Sequence, residues 1–202
     1  MLRKGIMGGT FDPIHNGHLA LAEYAYRQYD LEKVLFLPAG NPPHKQNRRD
    51  GASDAQRLAM VALALRDYPY FSLDSEEMER VGLTYTKDTL VRLKNEEPDT
   101  DFYFLIGADS LMAFDTWYHP EIICDNCILI VAGRGGLDEE VLLSKMDQLQ
   151  KDYNASVSLL DFPEMDISST NLRKQIREHH SVRGYIPDAV VDYIAENDIY
   201  GE

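Results

Sequence analysis

Six short apolar runs punctuate the chain: Ile6-Met7, Val34-Leu35-Phe36-Leu37, Phe71-Ser72-Leu73-Asp74, Phe102-Tyr103-Phe104-Leu105-Ile106, Ile128-Leu129-Ile130-Val131-Ala132 and Val157-Ser158-Leu159-Leu160. Each has the length and β-branched or aromatic content of a strand buried on both faces, as parallel strands are. Stretches with helical spacing fall between them. Leu19, Ala22, Tyr26 and Tyr29 mark a first amphipathic helix; Ser53-x-x-Gln56 has the form of a capping box before Leu58, Val61, Ala62 and Leu65. A later helix carries Leu90, Val91 and Leu93, residues 139–151 read as another, and Pro187 opens a last one through Val190, Val191 and Ile194. Residues 76–82 read as a surface segment. Strand and helix alternate with no linker, repeat or low-complexity tract, which calls for the α/β class and a doubly wound parallel sheet with right-handed crossovers.

In such a sheet ligands sit where strands empty into loops at their carboxyl ends. The first of these turns is Gly8-Gly9-Thr10-Phe11-Asp12-Pro13-Ile14-His15-Asn16-Gly17-His18-Leu19. Gly8 and Gly9 remove Cβ atoms that would hold phosphates away from the backbone. Asp12-Pro13 forces a turn. Asn16 or Gly17 can cap the following helix, placing His15 and His18 at its positive end beside free N–H groups. Singly, a histidine pair near a helix start is capping or packing, and Gly-Gly is a turn; together at the first strand-to-helix turn they read as a nucleotide-phosphate site.

The second strand empties into a long polar loop through Pro42-Pro43-His44-Lys45 to Gly51, where Lys45 has a stiffened approach while Arg48 and Arg49 read as surface. Past the fourth strand, Gly107-Ala108-Asp109-Ser110 puts a carboxylate where it either contacts ribose hydroxyls or caps a helix. Trp117 is the chain's one tryptophan, more often a core residue than a ligand platform. The fifth strand leads to Gly133-Arg134, and Ile167-Ser168-Ser169-Thr170-Asn171-Leu172-Arg173 makes a second helix start. Three hydroxyls with Arg173 and Arg177 nearby suit a phosphate, although serines there cap helices in any case.

A chain of 202 residues fits one domain with a sizeable core. The net charge of −14 argues against a nucleic-acid surface but not against a small phosphorylated ligand, which needs only local positive charge. No apolar run approaches a membrane span, and Met1-Leu2-Arg3-Lys4 leads into a strand instead of a signal sequence, so no membrane partner and a cytoplasmic location are expected. Cys124 and Cys127 have the spacing of a redox pair or half a metal site, and with His15 and His18 would complete a Cys2His2 set. Free thiols packed beside a buried strand are the plainer account.

Gly-Gly-Thr-Phe-Asp-Pro-Ile-His-Asn-Gly-His resembles the signature of the HxGH nucleotidyltransferase superfamily, and more closely that of bacterial nicotinate-nucleotide adenylyltransferase. The resemblance runs over essentially the whole chain: Pro42-Pro43-His44-Lys45, Thr84-Tyr85-Thr86 with Asp88-Thr89-Leu90, Gly107-Ala108-Asp109, Trp117, and the stretch from Ile167 to Arg173, where Leu172 stands in place of the usual isoleucine. It implies a Rossmann-like fold in a single domain, 1–202, with the part from about 168 packed onto it. It implies adenylyl transfer from ATP to nicotinate mononucleotide, with Mg²⁺ carried by ATP and no metal ligands from protein side chains. The partners it implies are these small molecules; a homo-oligomer is compatible with the chain. On the matching positions, His15, His18, Lys45 and Arg173 would be catalytic. Gly8, Gly9, Thr10, Phe11, Gly107, Asp109, Arg134, Ser168 and Ser169 would join them in binding ATP. Lys45, Thr86 and Trp117 would face the nicotinate nucleotide. The same chemistry on nicotinamide mononucleotide or another phosphate acceptor, or a nucleotide-binding sensor without turnover, are the alternatives.

Overall fold

A computed structural model describes residues 2–41, 51–133, 138–163 and 165–201. Lys45 and Arg134, and with them the expected phosphate-facing loops, lie outside the described residues.

All six expected strands form: β1 (Leu2–Gly9), β2 (Lys33–Pro38), β3 (Phe71–Leu73), β4 (Thr100–Gly107), β5 (Ile128–Ala132) and β6 (Ser156–Leu160). They make one parallel sheet in the order β3-β2-β1-β4-β5-β6. Met7 of β1 stands opposite both Phe36 of β2 and Leu105 of β4. The strand order reverses between β1 and β4, the switch point at which a doubly wound sheet opens a crevice.

Alternate side chains of each strand enter opposite core layers, as the two-residue period requires. Met7, Phe36, Leu105 and Ile130 join one layer, with Leu19 and Ala22 of α1 (Asn16–Gln28), Met60 and Val61 of α2 (Asp54–Leu65), and Val190 and Ile194 of α9 (Asp188–Glu196). Ile6, Phe104, Leu129 and Val131 join the other. That layer is closed by Leu90 and Leu93 of α4 (Thr86–Glu96), Leu111 of α5 (Ala108–Met112), Ile123 of α6 (Pro120–Asn126), and Leu142 and Leu149 of α7 (Glu139–Tyr153). No helix among the described residues is long and apolar enough to cross a membrane.

Three details depart from the pattern reading. The buried face of α2 is Arg57, Met60, Val61, Ala64 and Leu65, so Ala62 is exposed and the face is turned to include an arginine. On α4, Leu90 and Leu93 are buried but Val91 is exposed. Residues 76–82 are more than surface: Glu76–Glu79 forms a short helix, α3, whose backbone touches Gly40 so closely that any Cβ there would collide with the Glu77 carbonyl. The Glu77 carboxyl accepts from Thr89 Oγ1 at 2.6 Å, and burial pushes its pKa up. A glutamate-rich segment reads as solvated because its charge is visible in sequence and its close backbone contact is not.

The Ser53–Gln56 capping box is present, with the Gln56 side chain accepting from the Ser53 N–H at 2.8 Å. Cys124 and Cys127 are free, buried thiols of the layer formed by Ile6 and Phe104. Phe11 and Ile14, which flank the histidine turn, pack in the layer on the opposite face of the sheet. The cysteines are therefore core side chains, and among the described residues no group of three or more His, Cys, Asp or Glu could hold a metal ion.

Candidate active site

Beyond β1 the chain passes through Thr10, Phe11 at φ 49°, and a cis Asp12-Pro13 bond before α1 begins. The residue at the N-cap position is His15, not Asn16 or Gly17: its backbone is extended, and the first turn closes from His18 N–H to its carbonyl at 2.9 Å. Asn16 turns outward instead and donates from Nδ2 to the Gly184 carbonyl at 2.8 Å. The His15 N–H in turn donates to His18 Nδ1 at 3.3 Å. With Nδ1 accepting, the neutral His18 ring carries its proton on Nε2. That ring is held between two others. His15 stacks on it with centroids 3.6 Å apart, and Phe11 meets it edge-on at 5.1 Å. His15 is itself 3% exposed, a buried backing for His18.

His18 is on the wall of a cleft of about 370 Å³ at the switch point. Gly8, Gly9, Thr10, Phe11 and Asp12 line one side of it; Gly107, Asp109, Ser110 and Trp117 come from the β4 side, and Ser169 and Thr170 from the start of α8 (Ser169–Arg177). The glycines serve the protein as well as open space: a Cβ on Gly9 would stand 2.9 Å from the Phe11 ring, so Gly9 makes room for the ring that abuts His18. Trp117 packs against Phe104 and Phe114, with centroids 6.1 and 5.3 Å away, while remaining on the cleft wall. The core and platform readings of the tryptophan are thus compatible.

Of the other expected residues that the structure describes, Ser169 lines the cleft while Ser168, Arg173 and Thr86 do not. Ser168 caps α8, accepting from Asn171 N–H at 3.2 Å, and Ser169 Oγ donates to the Pro13 carbonyl at 3.0 Å. Arg173 donates from Nη1 to the Asp12 carbonyl at 2.7 Å and from Nη2 to Thr170 Oγ1 at 3.3 Å. Thr86 opens α4 and is not among the residues lining the cleft. Together Ser169 and Arg173 tie the α8 start to the turn before His15, so the two helix N-termini face one cleft.

Three residues of this arrangement had no signal in the sequence reading. Asp12 reads in sequence as a turn former, yet its carboxylate is 2% exposed and accepts from Ala52 N–H at 2.9 Å and from the Tyr200 hydroxyl at 2.6 Å. Tyr200 closes a link across 188 positions, which no local pattern displays. Arg57 lies in a helix where a lone arginine reads as solvated, and its burial becomes visible only once β1 and β2 are seen beside it.

A cytidylyltransferase-like family model matches residues 6–175. A probable nicotinate-nucleotide adenylyltransferase of Lachnoclostridium phytofermentans is 43% identical over 99% of this chain and 100% of its own length. The chain belongs to the nicotinate-nucleotide adenylyltransferase family. It is accordingly an enzyme, a nucleotidyltransferase. A second such adenylyltransferase, from Synechococcus, is 44% identical over 98% of this chain and 94% of its own length. Among solved structures, a Plasmodium falciparum nicotinic acid mononucleotide adenylyltransferase complexed with NaAD superposes with a TM-score of 0.81, covering 99% of this chain and 98% of that one. At 21% identity it supports the shared fold.

Proposed function

We propose that residues 1–202 act as one catalytic unit that transfers the adenylyl group of ATP to nicotinate mononucleotide, giving nicotinate adenine dinucleotide and pyrophosphate in the cytoplasm. A phosphate oxygen of the mononucleotide forms a bond to the α-phosphorus of ATP as the bond from that phosphorus to the bridging β-oxygen breaks. Pyrophosphate leaves with the electron pair. A phosphate monoester is already nucleophilic near neutral pH, so the protein needs no covalent nucleophile. Its task is alignment and neutralisation of charge on the α-phosphate and leaving group.

The observation that carries this reading is His18. Its Nδ1 accepts from the His15 N–H, so the neutral ring donates from Nε2, and the ring is clamped by Phe11 and His15 on the cleft wall. A donor fixed before substrate arrives stabilises developing charge without reorganisation. His15 contributes by holding that ring. Ser169, Ser168 and Arg173 serve the β- and γ-phosphates at the α8 start; Lys45 and Arg134 add positive charge around the polyphosphate. Gly107 and Asp109 take the adenosine side, while Trp117 and Thr86 take the pyridine side. Mg²⁺ carried by ATP would supply charge neutralisation along the polyphosphate. The donors around the cleft suit delivery with ATP, because Asp12 is engaged by Ala52 and Tyr200 and Asp109 is the other acidic residue lining it among the described residues.

The test is pyrophosphate release from ATP and Mg²⁺ with nicotinate mononucleotide, nicotinamide mononucleotide and phosphopantetheine offered separately. Preference for the nicotinate form is the expected result. Preference for another acceptor would keep the chemistry and change the substrate, and silence with all three would remove the reaction.

A further inference from the structure

Arg57 is a cation with almost no access to water, 4% exposed, on the first turn of α2. Its Nη1 donates to the Thr10 carbonyl at 2.7 Å; Nη2 donates to the Ala39 carbonyl at 2.9 Å and to Asp54 Oδ1 at 2.7 Å. Burying a guanidinium is costly, and a methionine or leucine would fill a helix-to-sheet contact more cheaply. The acceptors show what the guanidinium does that an apolar side chain cannot. Thr10 and Ala39 are the first residues beyond β1 and β2, and Ala39 N–H donates in turn to the Gly9 carbonyl at 2.8 Å. One planar fork therefore sets the exits of two neighbouring strands.

The exit of β1 is the strained one. Phe11 has φ 49°, a left-handed conformation that a phenylalanine adopts only when its surroundings impose it. The peptide between Thr10 and Phe11 is planar and trans, so its N–H points opposite to its carbonyl. The carbonyl faces Arg57, which is not part of the cleft wall; Thr10 and Phe11 are part of it. The Phe11 N–H is thus turned away from the guanidinium, on a residue of the cleft wall. A backbone N–H beside a concavity, next to a residue in the left-handed region, is the kind of donor that binds anions.

We propose that Arg57 is a positioning residue for the polyphosphate of ATP: by holding the Thr10 and Ala39 carbonyls it keeps the turn after β1 in the shape that presents the Phe11 N–H to phosphate. The proposal rests on the adenylyl-transfer reading for its ligand. It does not require Arg57 to touch substrate.

The test compares the full-length wild type with Arg57→Lys and Arg57→Met, measuring by calorimetry the Kd for α,β-methylene-ATP and for nicotinate mononucleotide. A lysine keeps the charge but cannot span both carbonyls with a planar fork. Both variants should bind the ATP analogue about tenfold more weakly, the scale of one well-placed N–H to phosphate bond, and the mononucleotide within about twofold of wild type. A merely structural role would weaken both ligands together in step with a lowered Tm; that result, or unchanged affinity for the analogue, overturns the proposal. A second measurement needs no variant. In ¹⁵N-labelled wild type, the Phe11 amide resonance should move on titration with α,β-methylene-ATP, and an unmoved resonance overturns the proposal even if both variants fail to fold. Wild type that binds the analogue yet releases no pyrophosphate with any acceptor would sink the reaction while leaving the Arg57 comparison readable.

Discussion

At the scale of single residues, the structure divides the two histidines by place. His18 faces the cleft and His15 lies beneath it, so their replacement should differ in kind. His18→Ala should lower kcat by about 10²–10³-fold, as loss of a preorganised donor does, with Tm near that of wild type. A steady-state assay beside a melting curve checks this, and near-normal turnover would refute the proposed mechanism. The cysteines give a contrasting prediction. Burial pushes the Cys124 thiol up to about 12, and that of Cys127 well above its ordinary value. A raised thiol pKa leaves little thiolate at pH 8, so alkylation of the native protein by iodoacetamide should be slow there, quickening as pH climbs towards the raised value or when the chain is unfolded. Rapid labelling of both thiols in the native state would contradict their place in the core. The C-x-x-C spacing was visible in sequence, but spacing says nothing of exposure, and exposure decides reactivity.

Elements were more legible than the contacts between them. The strands are apolar runs and their existence follows from local composition, whereas the turn of α2 about its axis depends on what lies beside it. Arg57 is drawn inward because two strand exits present carbonyls that need donors. The start of that helix is predictable from Ser53 alone: Ser53→Ala removes the cap and should lower unfolding free energy by about 1 kcal/mol, measured by urea titration. A second contact at this scale joins β1 to Glu97, the residue that caps the end of α4. Lys4 Nζ pairs with Glu97 at 2.6 Å, and this bond, with Thr100 adding to it, holds the Glu97 carboxyl below its ordinary pKa. A carboxylate whose folded pKa is depressed stabilises the fold above its unfolded pKa, and that contribution fades as pH falls through the folded value. The pair is partly exposed, so Lys4→Met should cost only about 0.5 kcal/mol at pH 7, and the difference from wild type should shrink at acid pH. A cost that grew on acidification would contradict the assigned direction.

For the whole molecule, the two helix N-termini of the site come from opposite ends of the chain, and the link from Ser169 and Arg173 to Pro13 and Asp12 makes them one site. If the divalent ion belongs to ATP, EDTA should stop pyrophosphate release, excess Mg²⁺ should restore it, and the Tm of the ligand-free protein should not move. A fall in Tm on chelation would point to a metal held by the protein. By itself the sequence determined the strand and helix alternation, the parallel sheet, the phosphate-suited glycine and histidine turn, and a family signature spread along the chain. These are set by local periodicity, turn chemistry and short motifs, all of which act within a few residues. Only the tertiary structure decided that His15 backs His18, that Asp12 is joined to Ala52 and Tyr200, and that Arg57 holds two strand exits. Those facts follow from packing between distant segments, where a buried polar group must find its partners wherever the fold brings them.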